Sequence, residues 1–209
     1  MKDINSRIFL IRHGITEGNK KMWHYGWADI PLLDEGVEKI REYKREGVYP
    51  EISDGYFYTS GMIRTEMTFE TIFGDREHKV IEDLKEINFG DFEKKTYDEI
   101  GDDVRYQNWV SDATGKAKLP NGESKLDFGE RVLKGFTEVM NLHGLKELSH
   151  RHDRKDANSV VVCHGGVIAA IMMMKFGDNW DDFFKWIPEP GRGYVLSVRD
   201  GQCVSYEAL

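Results

Sequence analysis

The chain has 209 residues, of which 29 are lysine or arginine and 37 are aspartate or glutamate, so its formal net charge at pH 7 is −8. This charge argues against general binding to nucleic acids or to anionic membranes, because both partners require a basic surface. Hydrophobic residues make up 40% and charged residues 32% of the chain, a composition typical of a globular protein. The length predicts one domain over residues 1–209.

The first residues, the longest apolar run and the cysteines indicate the compartment. Residues 1–5 lead directly into an apolar segment and lack the long apolar core of a signal peptide. The longest apolar run, residues 167–174, is too short to span a bilayer. Cys163 and Cys203 are too few for a disulfide framework or a four-ligand zinc site. We therefore expect a cytoplasmic protein.

In chain order, the first predicted element is a strand over residues 7–12. It runs into a polar loop with four aromatic or imidazole side chains, Trp23, His24, Tyr25 and Trp27. These side chains either pack or form part of a substrate entrance, and the sequence does not decide between the two. After Gly36, apolar residues at helical spacing predict an amphipathic helix that ends at Gly47.

A second strand is predicted at residues 56–59. Ser60 is predicted to cap the helix that follows, because serine is a favoured N-cap residue, and Gly74 is predicted to end this helix. Residues 80–81 predict a short third strand.

An irregular stretch over about residues 89–122 separates these elements from the last third of the chain. Within it, Thr96 and Glu99 have the spacing of a capping box, and a further helix is predicted near Trp109. We interpret this stretch as a cap inserted into the domain.

The last third of the chain alternates again between helices and strands. Ser124 and Asp127 predict the start of a long amphipathic helix. The remaining predictions are a solvated loop at 150–156, a strand at 160–163, a buried helix at 167–176 and strands at 194–198 and 203–206. Strands alternating with helices predict an α/β fold, a three-layer α/β/α sandwich with a mostly parallel sheet.

Two His-Gly pairs each follow a predicted buried strand. His13-Gly14 comes directly after the first strand, with Arg12 before it, and His164-Gly165 follows residues 160–163. In open α/β sheets, ligands bind beyond the carboxyl ends of the strands, where loops and helix N-termini offer N–H groups to anions. The first hypothesis is therefore a phosphate site between two histidines.

Several motifs, in order along the chain, resemble those of the histidine phosphatase superfamily, also called the phosphoglycerate mutase-like family. The matching segments are Arg12-His13-Gly14-Ile15-Thr16-Glu17-Gly18-Asn19, Asp29-Ile30-Pro31-Leu32 with Gly36, Ser60 with Arg64 and Thr68, Leu84 to Glu93, Gly122-Glu123-Ser124 with Arg131, and Val162-Cys163-His164-Gly165-Gly166. The segment from Leu84 to Glu93 resembles the phosphatase branch. The departures are Ile15, Leu33 and Lys94, where the family usually has a polar residue, threonine and glycine.

The resemblance implies a set of catalytic roles. His13 is the implied nucleophile and forms a phosphohistidine, while Arg12, Arg64 and a protonated His164 hold the phosphoryl oxygens. Glu86 is the implied general acid, which protonates the leaving oxygen and then activates water. A proton on Glu86 near neutral pH needs a raised pKa, which burial or a nearby phosphate could provide.

Asn19, Thr16 and the backbone at Gly14 and Gly165 are implied to support phosphate binding. The scheme requires no metal and no cofactor, and the implied ligand is a small phosphorylated metabolite. The leading interpretation is thus a metal-independent phosphatase of small phosphomonoesters.

Two other functions stay open. One is a cofactor-dependent phosphoglycerate mutase, against which stand the segment after Leu84 and the shortness of the chain. The other is a non-catalytic module that binds phosphorylated ligands. The sequence does not rank α-ribazole phosphate, sugar phosphates and phosphoglycerates as substrates, and it leaves the oligomeric state open.

Some charged residues outside these motifs have alternative interpretations. A metal site at His150, His152 and Asp153 is disfavoured, because histidines in polar loops are usually solvated. Lys21, Lys94 and Lys95 are expected to be solvated, although any of them could favour a substrate with a second anionic group.

Overall fold

The computed structural model describes residues 5–151, 155–177 and 180–209. Its strands, numbered in chain order, are β1 (Ser6–Arg12), β2 (Trp23–His24), β3 (Tyr56–Thr59), β4 (Lys79–Val80), β5 (Lys95–Thr96), β6 (Ala157–Cys163), β7 (Gly193–Arg199) and β8 (Gln202–Ala208). Six of them form one sheet in the order β4-β3-β6-β1-β7-β8. β4, β3, β6 and β1 run parallel to one another, whereas β7 and β8 pair antiparallel.

Helices cover both faces of this sheet. They are α1 (Glu17–Lys20), α2 (Asp34–Arg45), α3 (Ile63–Phe73), α4 (Tyr97–Ile100), α5 (Val104–Ser111), α6 (Lys125–Arg151) and α7 (Gly165–Phe176). Short 3₁₀ segments lie at Glu82–Leu84, Gly90–Phe92 and Trp180–Trp186. Residues of α2 and α3 share one buried cluster with the sheet, and residues of α6 and α7 share the other.

The alternation of side chains along β1 explains the two layers. Ile8 and Leu10 belong to the cluster on the α6 and α7 side, whereas Phe9 and Ile11 belong to the cluster on the α2 and α3 side. Successive side chains of a strand point to opposite faces, so an uninterrupted apolar run requires cover on both. The predicted three-layer α/β/α architecture with a mostly parallel sheet is confirmed.

Two of the predicted helix starts are correct. At α4, the Thr96 N–H donates to Glu99 Oε2 at 2.7 Å, the capping box expected from the sequence. At α6, the Asp127 N–H donates to Ser124 Oγ at 3.0 Å, and the Ser124 N–H donates to Asp127 Oδ2 at 3.2 Å. These contacts satisfy N–H groups that a helix start leaves without a helical partner.

The predicted cap of α3 is wrong. The N-cap residue is Met62, which makes no side-chain cap bond, and Asp29 Oδ1 accepts the Ile63 N–H at 2.8 Å. Ser60 lies two residues too early, and its hydroxyl bonds to His164 instead. Gly74 follows the helix as predicted, with a φ of 76° that favours glycine.

One face of the long amphipathic helix α6 packs against the sheet. Val132, Phe136, Val139 and His143 are all buried. The helix runs on to Arg151, so the predicted loop begins later than expected, and His150 is buried rather than solvated.

His150 is held by polar groups of the protein. It donates from Nδ1 to the carbonyl of Asp156 at 2.8 Å, and its Nε2 lies 3.1 Å from Asp54 Oδ2. His152 and Asp153, the other members of the disfavoured metal site, lie outside the described residues.

Residues 89–122 build a small layer of their own. Phe92, Ile100, Tyr106 and Leu119 form a separate buried cluster. β5 in this segment pairs antiparallel with β2, which ties the segment to the loop that follows α1. In the described ranges, no helix is both long and apolar enough to cross a membrane.

Candidate active site

His13 and His164 lie side by side at the carboxyl end of the sheet. β1 and β6 are parallel neighbours in which Arg12 stands opposite Cys163, so the next residue of each strand emerges at the same edge. The His13 N–H donates to the Cys163 carbonyl at 3.0 Å. The two imidazole centroids are 5.4 Å apart, and the residues are only 3% and 0% exposed. The structure thus brings together the two predicted histidines.

The His13 ring is held in one tautomer. Its Nδ1 donates to the carbonyl of Gly14 at 2.8 Å, which leaves the lone pair on Nε2. Burial lowers the pKa of His13 well below its usual value, and the nearby charges of Arg64 and Arg12 act in the same direction. A neutral imidazole with a free Nε2 is the form that can attack an electrophile.

His164 has hydrogen bonds at both ring nitrogens. Its Nε2 lies 2.8 Å from Ser60 Oγ, and its Nδ1 accepts the N–H of Arg64 Nε at 3.3 Å. Burial, followed by the charge of Arg64, lowers the pKa of His164 well below its usual value. Nδ1 is an acceptor here and a cation lies beside it, and both features favour the neutral ring in this structure. The protonated His164 implied by the resemblance stays a prediction for the phosphate-bound site.

Arg64 is fully buried in the first turn of α3. Its Nη2 donates to the carbonyl of Gly26 at 2.6 Å and its Nη1 to that of Ala28 at 3.1 Å. The guanidinium carbon also lies 5.2 Å from the centre of the Tyr25 ring. The side chain therefore joins α3, the loop around residue 26 and His164 into one rigid unit.

Arg12 approaches from the end of β1. Its Nη1 donates to the carbonyl of Pro188 at 2.7 Å. Its Nε is buried and, in the part of the chain that the structure describes, has no hydrogen-bond partner. Burial lowers the pKa of Arg12, and the charge of Glu86 opposes this effect. Because an unpaired buried donor is costly, the Arg12 Nε is suited to an anionic ligand.

Glu86 lies over the start of α7. Its Oε2 accepts the Gly166 N–H at 2.8 Å and its Oε1 accepts the Ile87 N–H at 3.0 Å. Burial raises the pKa of Glu86, while these two N–H bonds oppose the rise. A Cβ on Gly166 would lie 2.4 Å from Glu86 Oε1, so the carboxylate fits only because this position is glycine. The raised pKa agrees in direction with the expected acid role.

The structure revises the predicted supporting donors. The Gly14 N–H donates to Thr68 Oγ1 at 3.0 Å and is therefore not free for phosphate. The hydroxyl of Thr16 lies 3.0 Å from Asn19 Oδ1 and 2.7 Å from the Tyr25 hydroxyl, so Thr16 caps α1 rather than facing a ligand. Asn19 Oδ1 accepts hydrogen bonds from Thr16, so the side chain of Asn19 can donate to a phosphate only through Nδ2. Gly165 opens α7, where N–H groups lack helical partners.

Three residues of the site were missed from the sequence, and for a fourth, Tyr25, the sequence left packing and a substrate entrance both open. Ser60 contacts His164 and Tyr25 faces His13 with ring centroids 6.3 Å apart. The pair Arg131 and Glu123, 2.7 Å apart, fixes the Glu86 segment, because Arg131 donates to the carbonyls of residues 83, 85 and 86. Ser60, Glu123 and Arg131 stood in the matched motifs, which was the signal available for them.

The aromatic loop splits between two places. Tyr25 belongs to the site, whereas His24 bonds to Tyr106 at 2.8 Å and packs on Phe89 in the 89–122 segment. Trp27 is exposed and donates from Nε1 to the Glu86 carbonyl at 3.1 Å. Tyr25 and Trp27 thus contact the groups around His13 and Glu86, whereas His24 packs in the 89–122 segment.

The departures from the family motifs have local explanations. Lys94 has a φ of 61°, the left-handed region that favours glycine. Leu33 is the N-cap of α2 and makes no side-chain bond there, whereas threonine could make one. Ile15 lines a surface groove together with Glu35 and Pro190, and neither His13 nor His164 lines this groove. Lys94 and Leu33 therefore bear on local backbone stability, and Ile15 lies on the surface groove.

Comparison with known proteins identifies the family of this chain. A model of the histidine phosphatase superfamily (branch 1) matches residues 8–207. A 2,3-bisphosphoglycerate-dependent phosphoglycerate mutase of Bartonella henselae is 29% identical over 214 residues, which cover 97% of each chain. The adenosylcobalamin/α-ribazole phosphatase of Escherichia coli is 27% identical over 82% of this chain and 79% of that protein. The crystal structure of the α-ribazole phosphatase from Shigella flexneri has a TM-score of 0.74 at 23% identity, over 94% of this chain and 92% of that one.

Proposed function

Because this chain belongs to the histidine phosphatase superfamily (branch 1), we propose that it is a metal-independent phosphatase that hydrolyses small phosphomonoesters through a phosphohistidine on His13. The motif resemblance found in the sequence is confirmed by the family match. The observation that carries the proposal is the meeting of His13, His164, Arg12, Arg64 and Glu86 at one edge of the sheet.

In the first step, Nε2 of His13 attacks the phosphorus atom and the bond to the ester oxygen breaks. The hydrogen bond from Nδ1 to Gly14 supports this role, because it keeps Nε2 unprotonated. Arg12 and Arg64 stabilise the charge on the phosphoryl oxygens, which is the main requirement of phosphoryl transfer. His164, whose two ring nitrogens bond to Ser60 and Arg64 in this structure, reaches the same phosphoryl group by exchanging one of these hydrogen bonds for the phosphate. A phosphate dianion would favour the protonated form of His164 on binding.

Glu86 supplies and removes the protons. It gives its proton to the ester oxygen as the first bond breaks, so the product leaves as an alcohol rather than an alkoxide. As a carboxylate it then takes a proton from water, and the resulting hydroxide displaces His13 from phosphorus. The pKa of Glu86, raised by burial, supports a carboxyl group that holds a proton more readily than one in water.

A phosphoglycerate mutase is the second candidate, because the Bartonella henselae relative carries that name. The length argument against it is wrong, since the alignment covers 97% of that mutase. The motif from Leu84 to Glu93 remains the reason to prefer a phosphatase. Both functions use the same histidine chemistry and differ in whether water or a second phosphoglycerate accepts the phosphoryl group.

The test is a phosphate-release screen of the purified protein. We expect release from at least one of α-ribazole phosphate, sugar phosphates and phosphoglycerates, unchanged by a chelator such as EDTA. A parallel incubation with 3-phosphoglycerate and bisphosphoglycerate separates the two candidates, because isomerisation faster than phosphate release would identify a mutase. Binding of phosphorylated ligands without turnover in either assay would indicate a non-catalytic module.

A further inference from the structure

Glu93 lies outside the histidine cluster, yet it gathers more backbone hydrogen bonds than an ordinary surface carboxylate. The N–H groups of three consecutive residues, Gly26, Trp27 and Ala28, all donate to it at 2.9 to 3.1 Å. The Phe89 N–H is a fourth donor, at 3.0 Å. Bonds from N–H groups to a charged acceptor are about twice as strong as those between neutral groups. The carboxylate therefore fixes the loop over residues 26–28.

The opposite side of this loop faces Arg64. The carbonyls of Gly26 and Ala28 accept the Arg64 guanidinium at 2.6 and 3.1 Å. The peptide group between Gly26 and Trp27 is shared, because its C=O meets Arg64 while its N–H meets Glu93. An anion and a cation at the two ends of one peptide dipole strengthen both hydrogen bonds. The position of Arg64 thus depends on a loop that Glu93 holds.

The loop also touches the segment that carries Glu86. Trp27 Nε1 donates to the Glu86 carbonyl at 3.1 Å. A Cβ on Gly26 would lie 1.6 Å from the carbonyl oxygen of Ile87, so the two backbones pack directly against each other. A shift of residues 26–28 would therefore move Arg64 and Glu86 relative to each other.

We propose that Glu93 is a positioning residue that sets the geometry between Arg64 and Glu86 by clamping residues 26–28 through their N–H groups. This inference rests on the proposed function only for its effect on catalysis. The mechanical part, that the loop and Arg64 loosen without the Glu93 charge, holds for a phosphatase, a mutase or a binding module.

The test compares Glu93→Gln with the parent protein and with Glu99→Gln. Glutamine keeps the size of the side chain but loses the charge, and its NH₂ group cannot accept an N–H. Glu99 is a matched control, because it accepts a backbone N–H from Thr96 in the same segment, at 2.7 Å, away from residues 26–28. Glu93→Asp restores the charge on a shorter side chain and serves as the second variant if Glu93→Gln folds poorly.

Three measurements are made on each variant. Hydrogen–deuterium exchange of residues 25–28 should be about 10-fold faster in Glu93→Gln and nearly unchanged in Glu99→Gln. Inorganic phosphate should bind about 10-fold more weakly, and kcat/KM for a phosphomonoester should fall about 100-fold, since small displacements of catalytic groups have effects of this size. The loss should be larger for alkyl than for aryl esters, and Glu93→Asp should recover part of it.

The outcomes separate this inference from the proposed function. Unchanged exchange and unchanged phosphate binding in Glu93→Gln would overturn the inference, as would losses equal to those of Glu99→Gln. If exchange and phosphate binding respond as expected but the parent protein releases no phosphate from any ester, the positioning role stands and the phosphatase proposal fails.

Discussion

The rings of His13 and His164 stand 5.4 Å apart because the residues before them, Arg12 and Cys163, face each other on parallel strands. Register, rather than sequence proximity, makes them a pair. The bond from His13 Nδ1 to the Gly14 carbonyl selects the ring nitrogen that can attack.

His13→Ala should remove turnover and leave the fold intact. We expect phosphate release to fall at least about 1000-fold, because no other group replaces the nucleophile. Phosphohistidine is lost in acid, so labelling with a phosphorylated substrate is assayed at alkaline pH. Under these conditions the parent protein should retain the labelled phosphoryl group and the variant should not. His78→Ala is the control, a half-buried histidine that bonds to Glu66 instead of the site. Parent-like turnover in His13→Ala would show that the nucleophile is another residue.

Glu86→Gln should lower the rate most for esters whose alcohol is a poor leaving group. Esters of poorly leaving alcohols need a proton at the ester oxygen, so we expect kcat to fall about 100-fold or more for alkyl phosphates. Aryl alcohols leave with less help from an acid, so the rate of the first step should fall less for aryl phosphates. The measurement is the dependence of kcat/KM on the pKa of the leaving alcohol, and an equal loss for all esters would argue against the acid role.

Gly166→Ala should impair catalysis through steric displacement of Glu86. The added Cβ would lie 2.4 Å from Glu86 Oε1, so the carboxylate must move. We expect kcat to fall about 10- to 100-fold with the fold retained. Gly129→Ala is the matched control, because nothing lies within 4 Å of its Cβ in α6. The control should be stabilised by about 0.5–1 kcal/mol, since alanine is the better helix former, with kcat unchanged.

Lys94→Gly should stabilise the protein. Lys94 has a φ of 61°, where a Cβ is strained and glycine is not, and we expect a gain of about 1 kcal/mol in the free energy of unfolding. Lys95→Gly, in the extended strand β5, should be destabilising instead. Urea denaturation of both variants measures the difference, and a loss of stability in Lys94→Gly would contradict this interpretation.

Stability should decrease below about pH 6.5. His143 is buried between Ser6 and Ser159, at 2.8 and 2.9 Å, and burial lowers its pKa to about 4. Between this pKa and its ordinary value, His143 is protonated in the unfolded chain but neutral in the folded protein, so acid favours unfolding. The pKa values of His13 and His164 are also lowered, which acts in the same direction. The titration of His143 alone should lower the free energy of unfolding by about 2 kcal/mol between about pH 7.5 and about pH 5.

Denaturation of the parent and His143→Gln at both pH values checks this contribution. The variant is expected to be less stable at neutral pH, because the buried network changes, but its stability should fall less on acidification. An equal pH dependence of the two proteins would rule out His143 as a source of acid sensitivity.

Local sequence determined most of the elements. The apolar runs of β1 and β6 placed the central strands, and the spacing of Thr96 with Glu99 placed the start of α4, because these patterns depend on neighbours within a few residues. Motif order likewise identified His13, Arg12, Arg64, His164 and Glu86 as candidates, since each stands in a short segment that resembles the family.

Tertiary structure decided the contacts between distant segments. Ser60 has a sequence context suited to a helix cap, but the strand order places it 2.8 Å from His164. The pKa of His164 is lowered by its burial and then by the cation of Arg64, one hundred residues away along the chain. The clamp by Glu93 requires β5 to pair with β2. Hydrogen-bond partners and pKa values depend on which groups meet in a buried site, and a linear pattern does not contain that distance information.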